Sequence, residues 1–77
     1  MRYHFHVVDN TVSLDLAVLD LPEYEAALDK AEQVGAALLQ NRKYATEPDK
    51  WEILVTDEAG TEVLRMPLSE IAGKRTG

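Results

Sequence analysis

The chain has 77 residues, 14 acidic and 8 basic, a formal charge of −6 and no cysteine. That length holds one small domain, because a second would need a core of its own. Without cysteine there are no disulfides, thiolate metal sites or cysteine nucleophiles, which fits a reducing compartment such as the cytoplasm.

No stretch approaches the roughly 18 apolar residues that a membrane span needs. Met1 to His6 lacks the apolar core of a signal peptide, so the protein is predicted to be cytoplasmic. For 8.6 kDa, surface scaling predicts roughly 4,700 Å² exposed and only about 60% of the unfolded surface buried. A partner would add to so modest a core. The acids are densest from Asp9 to Glu32, where Asp9, Asp15, Asp20, Glu23, Glu25, Asp29 and Glu32 face one base, Lys30. Such a surface repels phosphate backbones and anionic lipid, so neither nucleic acid nor membrane is an expected partner. A basic protein partner is favoured electrostatically. The plainer alternative is a solvated face that keeps the protein soluble.

From Tyr3 to Val8 the sequence alternates, with Tyr3, Phe5 and Val7 on one face and His4, His6 and Val8 on the other. This predicts a strand. Asp9-Asn10 is a turn signal. Val12, Leu14, Leu16 and Val18 then share one face of a second strand, opposite Ser13, Asp15 and Ala17. Asp20-Leu21-Pro22-Glu23 reads as a helix start with Asp20 as its cap. Tyr24, Ala27, Leu28, Ala31, Val34, Gly35, Leu38 and Leu39 follow at three-to-four spacing, a helix of about five turns. Gly35 predicts a close approach of helix to sheet.

Asn41 to Lys50 reads as a fraying helix end and a loop, with Tyr44 a lone exposed aromatic. Trp51–Thr56 and Thr61–Met66 are strands joined by Asp57-Glu58-Ala59-Gly60, with Asp and Gly where a type I turn and bulge want them. Pairing Thr56 with Thr61 sets Leu54 against Val63 and Glu52 against Arg65. It leaves Trp51, Ile53, Val55, Leu64 and Met66 on a core face. Pro67 ends the strand, Leu68 to Ile71 forms a short turn, and 72–77 is a disordered tail. The fold class is α+β: an antiparallel sheet of about four strands in the order ββαββ, one amphipathic helix on one face, and a single domain over 1–71.

Several stretches together look familiar: Tyr3-His4-Phe5-His6 with Asp9-Asn10; Leu21-Pro22-Glu23 opening an Ala-rich helix; Trp51 to Gly60; and Val63-Leu64-Arg65-Met66-Pro67-Leu68-Ser69-Glu70. The chain resembles a family of short bacterial proteins catalogued only as a domain of unknown function. The likeness covers residues 2–71, and its most specific part is the second hairpin. The second strand departs from it, being less polar, as does Asn10, where glycine is frequent. The resemblance implies the domain boundaries and a bacterial, cytosolic setting, and it implies no mechanism. A weaker likeness over about residues 3–40, a hairpin before Leu-Pro and an acidic helix, is to bacterial antitoxins.

Two candidate sites emerge. His4 and His6, two apart on a strand, share a face about 7 Å apart and could ligate one metal, with Asp15 or Glu52 completing the set. The ordinary reading of the pair is two half-exposed sheet positions. The second candidate is the sheet face left bare by a single helix, where Leu54, Val63 and Val8 form a surface for self-association. Neither a nucleophile elbow nor a phosphate-cradling glycine cluster is present, and one helix on one sheet encloses little pocket. The sequence therefore predicts a non-enzymatic protein-interaction module without cofactor, a homodimer or the partner of a basic protein. An antitoxin-like inhibitor and a metal-binding protein using His4 and His6 are the alternatives.

Overall fold

The computed structural model describes the chain through residue 76, the side chains of 74–76 excepted. Two hairpins and three helices follow in the order ββαα, a 3-10 turn, then ββα. The strands are β1 (Arg2–Val8), β2 (Ser13–Asp20), β3 (Glu52–Thr56) and β4 (Glu62–Pro67). They form one antiparallel sheet in the order β2-β1-β3-β4. The hairpins lie side by side with β1 and β3 in the centre. Because β1 is antiparallel to both neighbours, β2 and β3 run parallel on either side of it. The segment between them, with helix α1 (Tyr24–Leu38), is thus the crossover of a split β-α-β unit.

The α+β class, the two hairpins and the crossover helix agree with the alternation and periodicity of the sequence. Tyr3, Phe5 and Val7 of β1 join Ile53 and Val55 of β3 and Met66 of β4 in the core, beneath Ala27 and Ala31 of α1. The helix covers the Trp51 face of the sheet. The exposed surface is 4771 Å², as scaling predicts for a chain of this mass. The Cα extents of 33 × 29 × 15 Å leave room for one sheet and one helical layer, so the second sheet face is uncovered.

The helical layer differs from the expectation. Leu68–Thr76 is a third helix, α3, not a short turn and tail, and only Gly77 of the predicted disordered tail lies outside the described residues. Leu68 and Ile71 are buried in the common core, so the core does not end before this helix. Gly35 does make a close approach, but to α3 rather than to the sheet. A Cβ there would overlap Ile71 Cδ1 and stand 3.3 Å from Leu68 Cδ2. Helix α1 starts after Glu23, without a side-chain cap, and stops at Leu38. Asp20 does not cap it; it ends β2, 3.8 Å from the Met1 ammonium.

The connection back to the sheet is also better packed than its polarity suggests. Asn41 caps a short helix, α2 (Arg42–Ala45), by accepting from the Lys43 N–H at 2.9 Å. Tyr44 is only 7% exposed. Its ring meets Trp51 edge-on, with centroids 5.0 Å apart, a favourable quadrupolar geometry. Lys43 and Lys50 sit over the Trp51 ring at 5.4 and 5.9 Å. The stems of the two lysines help close the edge of the core over an otherwise polar segment.

Candidate functional site

The uncovered face is built by pairing register. One row across it reads Asp15, His6, Leu54, Arg65; the next reads Val18, His4, Thr56, Glu62. A third reads Ser13, Val8, Glu52, Pro67. Two of these placements depend on bulges. In β2, Leu16 is an extra residue between Ala17, opposite Phe5, and Asp15, opposite His6. The bulge breaks the predicted common face of Val12, Leu14, Leu16 and Val18, because a bulged residue reverses the alternation beyond it. Leu14 stays opposite Val7 on the core side while Val18 stands opposite His4 on the bare side.

In the second hairpin the turn forms as predicted. Gly60 has φ +81°, and Asp57 Oδ1 accepts from the Ala59 and Thr61 N–H groups at 2.9 and 3.0 Å. The register beyond it differs. Thr56 pairs with Glu62, not Thr61, and Leu54 pairs with Arg65, not Val63. The extra residue is Val63, which packs against the core cluster. Glu52 and Arg65 still bond at 2.8 Å, but diagonally, since Glu52 stands opposite Pro67. Arg65 also donates to Glu62 at 3.1 and 3.3 Å. The hydrogen bonds to Glu62 and Glu52 raise the guanidinium pKa above its ordinary value.

The proposed apolar surface of Leu54, Val63 and Val8 is therefore not assembled as one patch. Val63 turns to the core, Val8 is 8% exposed, and half-buried Leu54 stands in a row with charged neighbours. What occupies the centre of the face is polar. His6 Nδ1 donates to Asp15 Oδ1 at 2.7 Å, and Nε2 lies 3.2 Å from the Thr56 hydroxyl. The neutral ring accepts from Thr56 and the protonated ring donates to it. This side chain thereby ties β2, β1 and β3 together. His4 and His6 stack with centroids 6.4 Å apart and planes 8° from parallel, the spacing their positions predict. Both ring nitrogens of His6 are engaged, and Asp15 is a hydrogen-bond partner. Among the described residues no group of three His, Asp or Glu side chains is arranged to hold a metal ion.

Besides Met1 and Tyr24, the large exposed apolar side chains fall in one segment. Val12, Leu14 and Val18 are 40, 38 and 53% exposed, and they belong to β2 and the turn before it, at the outer edge of the sheet. Beside them, His4, His6, Asp15, Leu16 and Val18 line a shallow hollow. The sequence carries one signal for this edge: Leu16 to Leu21 is almost uninterrupted apolar chain, which a one-sided strand does not need. The His6 bridge has no local signal, since its partners lie 9 and 50 residues away.

The family model of a domain of unknown function (DUF6894) matches residues 2–69. The chain belongs to that family. The match spans the four strands, the three connections between them and the start of α3. No curated protein and no solved structure matches the chain. No helix among the described residues of this DUF6894 protein is long and apolar enough to cross a membrane.

Proposed function

We propose that this DUF6894 protein is a non-enzymatic interaction module of the cytoplasm that binds a basic protein. The observation that carries the reading is the placement of acids on the surface. Asp15, Asp20, Glu23, Glu25 and Asp29 are all exposed along β2 and the start of α1, with no Lys or Arg between them in the sequence. The cations beside them are the Met1 ammonium, 3.8 Å from Asp20, and Arg2, its cross-strand neighbour. Half the sheet surface is left without a covering layer beside them. Acids so placed speed the approach of a cationic partner and discourage an anionic one. Flat strand surface offers a protein area to cover and offers a small substrate little enclosure.

The test is affinity capture of the tagged protein from its native cell extract at low and high salt, followed by reconstitution with the purified partner. The expected result is a stoichiometric basic protein that is released as salt screens the charges. Recovery of only neutral or acidic proteins, indifferent to salt, would overturn the reading.

A further inference from the structure

The two edges of the sheet are treated differently. An edge strand exposes unpaired backbone groups, and proteins blunt such edges with proline, bulges and charged side chains. Edge β4 is six residues long, ends in Pro67, and carries Arg65 clamped between Glu52 and Glu62. Edge β2 is eight residues long and has neither proline nor lysine. Its blunting devices are the bulge at Leu16 and the carboxylates of Asp15 and Asp20, charges that a cationic strand would neutralise. On it stand Leu14 and Val18, 38 and 53% exposed, while α1 and α3 pack elsewhere.

We infer that β2 is the docking edge, and that its occupant is an extended segment of a partner protein in which Lys or Arg alternates with apolar residues. The inference rests on the interaction-module reading and adds the surface and the form of the partner. Added strands bind through backbone hydrogen bonds, and alternate side chains set their specificity. On the bare side of β2 an incoming strand meets Asp15, Val18 and Asp20; on the core side it meets Leu14 and Leu19. The only charges of the strand are thus two carboxylates, 89% and 76% exposed. Asp15 is held in position by the 2.7 Å bond to His6. Cations fit one face of the occupant and aliphatic side chains the other. A second copy of this chain fits less well, because two β2 strands would gather four such carboxylates between molecules of charge −6 each.

The probe is a blocked heptapeptide of alternating lysine and valine, with a glutamate–valine peptide as control, followed by residue-resolved amide hydrogen exchange. The lysine peptide is expected to slow exchange along β2 and the glutamate peptide to leave it unchanged. Val18→Lys, at an exposed position, should abolish the protection. Asp15→Asn should weaken binding by up to about fivefold, the worth of one exposed ion pair. Protection of β4 instead, equal binding of both peptides, or indifference to Val18→Lys would overturn the edge assignment. So would a dimer of the free protein with β2 amides already protected. A basic peptide that binds away from β2 removes the edge and spares the module. A capture that yields no basic protein removes the module itself.

Discussion

At the scale of single residues, the structure is held by short-range polar bonds that do different work. Asp9 Oδ1 accepts from the Thr11 and Val12 N–H groups at 2.8 and 2.7 Å and thereby builds the β1–β2 turn. The Thr11 backbone N–H, then that of Val12 and the Thr11 hydroxyl, holds the Asp9 carboxyl below its ordinary pKa. A pKa lowered by folding contributes stability in full above the unfolded value of 3.8. The contribution is lost as pH falls through the folded value. Asp9→Asn keeps the acceptor but not the charge, so its urea midpoint should fall less than that of wild type on acidification below pH 3.8. An unchanged acid limb would show that the turn carboxylate is not linked to folding. His6 is the second test at this scale. His6→Ala removes the tie among three strands and should cost about 1–3 kcal/mol in urea unfolding. A loss within a few tenths would mean the bridge is open in solution.

At the scale of elements, the decisive contact is between two helices. Ala27, Ala31 and Gly35 form one small-residue ridge of α1, and Gly35 receives Ile71 of α3. Alanine at 35 gains about 1 kcal/mol of helix propensity but overpacks a full interface, at about 1–3 kcal/mol. Gly35→Ala is therefore expected to lower the thermal midpoint. Ile71→Val deletes the Cδ1 that the new methyl would meet. In that background Gly35→Ala should become neutral or stabilising. Additive behaviour of the two changes would place α3 elsewhere. Removal of α3 by ending the chain at Pro67 takes Leu68 and Ile71 out of the core. Its expected consequence is a broad, weakly cooperative transition, read by the single buried tryptophan, Trp51.

At the scale of the whole molecule, charge and shape act together. The ion pairs of Asp20, Asp15 and Arg65 each have at least one exposed member, so the charge attraction in each is worth little. The net charge of −6 opposes compaction. Raising ionic strength from about 0.01 M to about 0.15 M shortens the Debye length from roughly 30 Å to roughly 8 Å. The thermal midpoint should therefore rise with salt, as measured by calorimetry. A fall would mean that the pairs outweigh the repulsion. The same added salt is expected to weaken capture of a basic partner. Stability and binding should thus move in opposite directions, which separates an electrostatic docking surface from a salt-sensitive fold.

The sequence by itself determined the class of fold, the two hairpins, the Asp57–Gly60 turn, the aromatic core face of β1 and the burial of Trp51. Those features are local: a period of two or of 3.6, a turn residue at its proper place, a proline at an end. It also placed His4 and His6 on the face left bare, since two positions of a regular strand share a side. Tertiary structure alone decided the bulges at Leu16 and Val63. A one-residue insertion reverses the alternation without changing composition, and it moved Val18 outward and Val63 inward. Tertiary structure also decided that Tyr44 is buried, that Gly35 serves α3, and that His6 joins Asp15 to Thr56. Each of these depends on residues distant in sequence meeting at one point, and no periodicity along the chain encodes such a meeting.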